Sequence, residues 1–310
     1  MNSNRALVLT EYGGAHAVKL AAVAVPVPGP GQVAVRVHAA GLNALDWKLR
    51  EGYVRQAFPL QLPAVLGIEL AGVVEAVGAD VTRLRVGDRV MGPLGGLGAY
   101  AELVAVKEAN LALVPPSMSM TAAAALPLAA VAAWSSLHLA GPVHGGQRIL
   151  IHGAAGGLGG FAVQYARQAG AVIYATARSS HVDYVRSLGA DHVIAYDRQR
   201  FEDEVRDIDL VLDYAGGDVV ARSWAVLAGH GAIVSAATPD IVASTPAGRR
   251  GLWFQNTPDT ARLQAVADDV VHGRLQSKVA AVVRFDDLPA AIERQRTGST
   301  PGKTVATLVG

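Results

Sequence analysis

The chain has 310 residues, of which 51% are hydrophobic and 17% charged, and its formal net charge at pH 7 is +1. A chain of this length and composition can bury the cores of two domains and is not typical of a disordered protein. Its lysines and arginines are scattered, so we expect no nucleic-acid partner, and the absence of cysteine excludes disulfides, thiolate nucleophiles and cysteine-ligated zinc.

The apolar runs near the N-terminus and in the middle of the chain do not predict a targeting or membrane segment. Residues 6–9 form an apolar run that is too short for a signal peptide. The longest apolar stretch, residues 122–134, is interrupted by Pro127 and falls short of the roughly 20 residues that cross a bilayer. We therefore expect a cytoplasmic protein without a membrane partner.

The first third of the chain has the pattern of short strands and turns. Val33, Val35 and Val37 alternate with more polar residues, which is the period of a half-buried strand. A proline- and glycine-rich turn precedes this run, and further β runs cover residues 72–77 and begin again at Arg89. This pattern predicts a β-rich domain with little helix.

From Thr121 the pattern changes to a long alanine-rich helical run, followed by alternating strands and helices. Repeated β-α-β units predict a parallel, doubly wound sheet of the Rossmann type. The tail after Gly273 returns to β character and ends in a strand predicted over residues 304–309, which we expect to rejoin the first domain. The predicted domains are residues 1–121 with 260–310, and residues 122–259. The expected strands are 148–152, 172–177, 193–195, 210–213 and 232–236, and the expected helices are 158–168, 182–188 and 219–227.

A glycine-rich turn between the first strand and the first helix of these units is the strongest motif. Gly153, Gly156 and Gly159 recur at three-residue spacing, with Ala155, Gly157 and Leu158 between them. Glycines here allow a sharp turn and a close approach to a pyrophosphate, and the helix that follows offers unpaired N–H groups. The turn predicts a dinucleotide-binding site, whereas a similar glycine cluster at residues 92–98 has no long helix after it.

The end of the next strand distinguishes the two nicotinamide cofactors. NAD enzymes usually place an acid there for the ribose 2′-hydroxyl, but here Thr176 and Ala177 lead into Arg178 and Ser179, with no acid. Arg178 can pair with a 2′-phosphate and Ser179 can donate a hydrogen bond to it, so we predict NADPH. Further along, Ala215 and the pair Ser235-Ala236 follow strand ends, where loops approach the cofactor.

The whole chain resembles the quinone oxidoreductase branch of the medium-chain dehydrogenase/reductases, and is most similar there to NADPH-dependent alkenal/one oxidoreductases. This resemblance implies a Rossmann domain together with a discontinuous, β-rich GroES-like catalytic domain. It also implies that Tyr196 and Phe254 lie near the cofactor, and that His181 replaces the usual lysine beside the 2′-phosphate. The matching segments are residues 39–48 (AAGLNALDWK), 62–74 (LPAVLGIELAGVV), 87–90 (GDRV), 100–102 (YAE), 125–129 (ALPLA), 187–191 (SLGAD) and 302–303 (GK).

In the zinc alcohol dehydrogenases of this superfamily, Cys and His hold the metal at positions that are Asn43 and Ile68 here. Neither residue can replace a thiolate or an imidazole on zinc, so we expect a metal-free enzyme. Hydride then passes to a quinone or to the C=C bond of an α,β-unsaturated carbonyl, and hydrogen-bond donors or solvent must meet the developing oxyanion. The resemblance places Asn43 beside cofactor and substrate, and Tyr53 is a candidate donor to a carbonyl oxygen.

Alternative readings remain open from the sequence. Asn43 can instead order its loop, Asp46 is expected to be structural, and Tyr53 can be a half-buried tyrosine without a catalytic role. The protein can be a dedicated enoyl reductase of a biosynthetic pathway, or a non-catalytic NADPH-binding regulator or scaffold, because fold alone does not fix function. The resemblance further implies a homodimer, paired through a strand at residues 251–254.

Overall fold

A computed structural model of the chain describes residues 4–297 and 300–308. The chain divides into two compact units, Met1–Leu128 with Pro258–Gly310, and Ala129–Thr257. Val309, the last residue of the terminal strand predicted from the sequence, lies outside the described residues.

The strands and helices of both units have the following bounds. The strands are β1 (Asn4–Leu9), β2 (Val18–Val23), β3 (Gln32–Gly41), β4 (Ala64–Val65), β5 (Glu69–Val77), β6 (Arg89–Pro93), β7 (Leu103–Lys107), β8 (Ala112–Leu113), β9 (Arg148–His152), β10 (Val172–Ala177), β11 (His192–Ala195), β12 (Ile208–Asp213), β13 (Leu227–Ser235), β14 (Arg250–Trp253), β15 (Val279–Arg284) and β16 (Lys303–Thr307). The helices are α1 (Ala44–Arg50), α2 (Met120–Ala124), α3 (Ala129–His138), α4 (Gly157–Gln168), α5 (Val182–Ser187), α6 (Phe201–Glu204), α7 (Val219–Ser223), α8 (Ile241–Ser244), α9 (Thr260–Val271) and α10 (Leu288–Thr297).

The first unit is β-rich, as the alternation in its sequence predicts. A three-stranded sheet has the order β2-β1-β4, and a larger sheet has the order β15-β16-β3-β5-β6-β8, with β7 also paired to β3. Val33, Val35 and Val37 of β3 are fully buried in the core of this unit. The C-terminal strand β16 runs antiparallel to β3, with Val305 opposite Gly41. The discontinuous β-rich domain is therefore confirmed.

The long helix predicted from Thr121 is two helices, because Pro127 lies between α2 and α3 and has no backbone N–H to continue the first one. Helix α2 packs on β3 and β5 of the first unit. Residues 122–128 consequently lie with the first unit, which differs from the boundary expected from the sequence. By length and composition alone, the segment Met120–His138 could cross a membrane. However, 67% of its most apolar window is buried inside the protein, as in a core helix.

The second unit is a six-stranded sheet of the order β11-β10-β9-β12-β13-β14, in which every neighbouring pair is parallel. In order of appearance along this unit, the strands are therefore arranged 3-2-1-4-5-6, the order of dinucleotide-binding sheets. The order reverses between β9 and β12, which defines the crevice at their carboxyl ends where such sheets bind ligands. The doubly wound Rossmann fold is confirmed.

Candidate functional site

The glycine turn connects β9 to α4 with a geometry that other residues could not adopt. Gly153 has φ +73°, a left-handed conformation that favours glycine. A Cβ on Gly159 would lie 2.2 Å from the Gly153 carbonyl oxygen and 2.6 Å from the Cα of Ala154. Gly156 precedes the first turn of α4 with an extended backbone. The turn thus holds the start of α4 tightly against the end of β9.

The cofactor residues predicted from the sequence all come from segments at the carboxyl ends of the parallel strands. Because these strands run in one direction, their carboxyl ends share one edge of the sheet. Those residues are Gly153, Ala155, Gly156, Gly157, Leu158 and Gly159 after β9, Thr176, Arg178, Ser179 and His181 at or after β10, Tyr196 after β11, Ala215 after β12, Ser235 and Ala236 at the end of β13, and Phe254 after β14.

Asp213, at the end of β12, orders the loops at this edge, and the sequence reasoning did not identify it as a site residue. Its carboxylate is fully buried. It accepts hydrogen bonds from the backbone N–H groups of Ala215 (3.0 Å) and Gly216 (2.8 Å), and from the hydroxyls of Ser235 (2.6 Å) and Thr238 (3.1 Å). An acid at the carboxyl end of the strand predicted over residues 210–213 was the signal in the sequence. Since the Ser235 hydroxyl is bonded to Asp213, the side chain of Ser235 is an organiser of the loop.

His152, the last residue of β9, is buried next to the glycine turn in the chain. Its Nδ1 lies 3.0 Å from Thr176 Oγ1, and its Nε2 lies 3.0 Å from Ser223 Oγ. The Ser223 hydroxyl donates to the Val219 carbonyl, so it accepts from Nε2, and Nδ1 is left to accept from Thr176. These partners fit a neutral imidazole. Burial lowers the pKa of His152 to about 4, against a smaller opposing effect of the Asp213 charge.

The segment after β10 contains Arg178 and Ser179, which the sequence predicts to bind a 2′-phosphate. Arg178 is exposed, and a hydrogen bond to Tyr196 raises the pKa of its guanidinium. The backbone N–H and the hydroxyl of Ser179 both donate to the carboxylate of Asp197, at 2.8 Å and 2.7 Å. The strand end itself has no acid, as the sequence shows, but the structure brings an acid to it from the segment after β11.

In the first unit, Asn43 belongs to a buried cluster with Glu69 and Lys303. The Lys303 ammonium donates to Glu69 Oε1 (2.6 Å), Asn43 Oδ1 (2.7 Å) and the Leu42 carbonyl (2.8 Å). The Asn43 amide nitrogen donates to Glu69 Oε1 (2.8 Å) and to the Gly41 carbonyl (3.2 Å). Both amide protons of Asn43 are therefore engaged within the protein. These bonds leave no free donor on the Asn43 side chain, and its role as a polar residue that lines the substrate pocket stays a prediction.

Asp46, in the first turn of α1, and Tyr100 extend this cluster. Asp46 Oδ2 accepts from the backbone N–H of Asn43 (2.7 Å) and from the Tyr100 hydroxyl (2.6 Å). Burial raises the pKa of Asp46 to about 6, although the bond from Tyr100 acts in the opposite direction. Both residues are fully buried, and their role is to fix the loop that carries Asn43.

Tyr53, the other substrate-pocket candidate, lies apart from this buried cluster. Its side chain is 72% exposed, and its ring meets that of Trp47 edge to face at 5.8 Å. An exposed phenol is accessible to a ligand, but among the described residues of the first unit no hydrogen bond orients its hydroxyl group. Its role as a proton or hydrogen-bond donor stays a prediction.

A zinc ion does not fit the residues at the position where zinc relatives would hold it. The oxygens of Asn43 and Glu69 already accept from the Lys303 ammonium, whose charge neutralises the buried carboxylate. A divalent cation at the same oxygens would be repelled by that ammonium. Among residues 4–297 and 300–308, no group of three or more His, Cys, Asp or Glu side chains is placed to hold a metal ion.

Comparison with known proteins agrees with the fold and with this arrangement of motifs. Two family models match, the alcohol dehydrogenase GroES-like domain over residues 29–116 and the zinc-binding dehydrogenase over residues 188–305. The chain is 34% identical over 309 residues to 2-methylene-furan-3-one reductase of Solanum lycopersicum, a match that covers 96% of this chain and 77% of that protein. The chain belongs to the medium-chain dehydrogenase/reductase family. The resemblance identified from the sequence is confirmed.

Two further relatives illustrate the range of this family. The structure of the quinone oxidoreductase from Coxiella burnetii is 30% identical, with a TM-score of 0.94, and the match covers 99% of this chain and 100% of that one. The human synaptic vesicle membrane protein VAT-1 homolog is 38% identical over 239 residues, which are 74% of this chain and 60% of that protein. The chain thus spans only about 60% of the length of this curated relative.

The ion pair of Lys303 and Glu69 makes a first prediction. Lys303→Met leaves the Glu69 carboxylate buried without a counterion, so we expect the free energy of unfolding to fall by about 3–5 kcal/mol. Urea denaturation measures this loss. Lys107→Met, at an exposed lysine of the same unit, should change it by less than about 0.5 kcal/mol, and adding Glu69→Gln to Lys303→Met should recover part of the loss. Equal unfolding midpoints for the two lysine variants would contradict the interpretation.

A second prediction concerns pH. The folded-state pKa of His152, about 4, lies below its unfolded value of 6.5. Its neutral form therefore contributes stability that is complete above pH 6.5 and is lost as pH falls towards 4. This loss is about 3 kcal/mol between pH 7 and pH 4. His152→Gln cannot titrate, so its unfolding free energy should decline less steeply than that of the wild type, by this amount. Parallel pH profiles for the two proteins would refute the assignment.

Proposed function

We propose that this protein is an NADPH-dependent, metal-free reductase that transfers hydride to a quinone or to the C=C bond of an α,β-unsaturated carbonyl. The observation that carries the proposal is the convergence of the glycine turn, Arg178 and Tyr196 at the carboxyl edge of one parallel sheet. The relatives named as a quinone oxidoreductase and as a 2-methylene-furan-3-one reductase support this class of reaction. A cytoplasmic location stays a prediction.

The turn at residues 153–159 supports binding of the cofactor's pyrophosphate. The first amides of α4 have no partner within the helix, and the helix dipole favours an anion at that end. Ala155, Gly156, Gly157 and Leu158 are all partly exposed, and Gly156 presents no side chain that would keep a phosphate away. A bound nicotinamide cofactor would supply the hydride, while the chain holds and orients it.

The segments after β10 and β11 support recognition of the adenosine end. Arg178 offers an exposed guanidinium of the kind that pairs with a phosphate. Tyr196 is hydrogen-bonded to Arg178 and is 50% exposed, so its ring is available to an adenosine group. His181 is the N-cap residue of α5 in the same segment, at the position where related enzymes have a lysine.

In this proposal, the backbone at the ends of β12, β13 and β14 forms the part of the site that receives the nicotinamide. The hydroxyl of Ser235 is bonded to Asp213, and the N–H of Phe254 donates to the Ser235 carbonyl at 2.9 Å. These bonds fix the positions of Ala215, Ala236 and Phe254. We therefore assign Ser235 and Asp213 to shaping this end of the site, and Thr176 to orienting His152.

The edge strand β14 supports a homodimer. In the described part of the second unit, β14 pairs with β13 alone, which leaves its outer edge open. Pairing with the same strand of a second copy would cover that edge. Light scattering coupled to size exclusion should give twice the mass of one chain. A wild-type monomer at micromolar concentration would exclude this assembly.

Oxidation of NADPH and NADH with a panel of acceptors tests the activity. The panel is 1,4-benzoquinone, 9,10-phenanthrenequinone, trans-2-hexenal, 1-octen-3-one and crotonyl-CoA, with analysis of the reduced product. We expect turnover of a quinone or an enone with NADPH. Turnover of crotonyl-CoA alone would favour the dedicated enoyl reductase. Tight NADPH binding without turnover of any acceptor would favour the non-catalytic regulator or scaffold.

Gly156→Asp tests the pyrophosphate site within this proposal. Gly156 has φ −73°, which a substituted residue can adopt, and its added Cβ would lie 3.3 Å from the Gly153 carbonyl. We expect the fold to persist while a carboxylate beside the pyrophosphate weakens NADPH binding about 100-fold or more. The matched control is Gly229→Asp, since no atom lies within 4 Å of the Cβ that it adds. Equal loss of binding in both variants would contradict the site.

A further inference from the structure

The carboxylate of Asp197 bonds to the two Ser179 groups that could hold a phosphate. Its Oδ1 accepts from the Ser179 backbone N–H at 2.8 Å, and its Oδ2 accepts from the Ser179 hydroxyl at 2.7 Å. A carboxylate that takes both donors of one serine reproduces the hydrogen bonds that two phosphate oxygens would make there. The segment after β11 therefore already supplies an anion to this position.

The surroundings of Asp197 keep its charge in place. The bonds from Ser179 hold the pKa of Asp197 below its usual range, so the group stays ionised at neutral pH. Arg178 directly precedes Ser179 in the chain, and the Asp197 charge helps to raise the pKa of its guanidinium, after the larger effect of Tyr196. The cation assigned to a 2′-phosphate thus already has an anionic neighbour.

We propose that Asp197 is the residue that sets the preference between the phosphorylated and the unphosphorylated dinucleotide, by competing with the 2′-phosphate for Ser179 and Arg178. The inference rests on the proposed cofactor site. A 2′-phosphate bound to Ser179 must displace the Asp197 carboxylate and then lies beside a like charge. A ribose 2′-hydroxyl carries no charge, so it is not repelled by the carboxylate and does not have to displace it. Asp197 accordingly lowers the affinity for NADP(H) and leaves that for NAD(H) nearly unchanged.

Titration calorimetry of Asp197→Asn and Asp197→Ala with NADP⁺ and with NAD⁺ tests this inference. The asparagine keeps the size of the side chain and loses its charge, whereas the alanine also frees the two donors of Ser179. We expect NADP⁺ to bind about tenfold more tightly to Asp197→Ala, with a smaller gain in Asp197→Asn and less than a twofold change for NAD⁺ in both. Adenosine 2′,5′-bisphosphate and AMP should repeat the contrast, because they differ in the 2′-phosphate alone.

Asp183→Asn is the matched control. Asp183 is a fully exposed acid on α5, within six residues of Ser179 in sequence, and its recorded ion pair is with Arg186. The substitution Asp183→Asn removes the same charge without affecting the hydrogen bonds of Ser179, so it should change NADP⁺ affinity by less than twofold. An equal gain in this control would show a general effect of net charge and would overturn the inference.

The remaining outcomes separate the inference from the proposed function. Dinucleotide binding with an NADP⁺ affinity that is unchanged in the Asp197 variants overturns the inference alone. Weaker NADP⁺ binding in those variants also overturns it, because Asp197 would then hold Ser179 in position for the phosphate. Failure of the wild type and of every variant to bind either dinucleotide contradicts the proposed function, and the inference falls with it.

Discussion

The buried ion pair between Lys303 and Glu69 is the constraint on which the first unit depends. Taking an ammonium and a carboxylate out of water costs several kcal/mol each, and this cost is offset only where every donor and acceptor is matched. Here the ammonium meets three oxygens, and Glu69 also accepts from the Leu128 backbone N–H at 2.8 Å. One cluster consequently connects β16, β5, the loop before α1 and the residues after α2. It explains why the C-terminal segment must return to the first unit.

The same cluster accounts for the part that Asn43 plays. At a position where zinc relatives use a metal ligand, this chain has an amide whose oxygen and both protons are bonded inside the protein. Through these bonds Asn43 joins the end of β3 to Glu69. A hydrogen bond from the first unit to a substrate oxygen would therefore have to come from another group, and the exposed hydroxyl of Tyr53 is the donor that we predicted.

Local patterns were sufficient to predict the fold class but not every bound, since the helix expected over residues 219–227 ends at Ser223 and Leu227 begins β13. Strands β9 and β10 have the bounds expected from the sequence, and α4 begins one residue earlier than expected, at Gly157. The contacts of the site could not be predicted in this way. Lys303 and Asn43 are 260 positions apart, and Asp197 reaches Ser179 across 18 positions only because β10 and β11 pair in one particular register. Glu69 and Asp213 did leave a signal, since each is an acid at the first or last position of a strand.

The return of β16 to the first unit has a consequence for biosynthesis. The ribosome makes Lys303 234 residues after Glu69, which at cellular rates of synthesis is an interval of roughly 10–50 seconds. During that interval the whole of the second unit, Ala129–Thr257, has emerged and can fold as a unit. Until then, Glu69 of the first unit has no Lys303 ammonium to neutralise its carboxylate. In a nascent chain the second unit can therefore complete its fold before the first unit does.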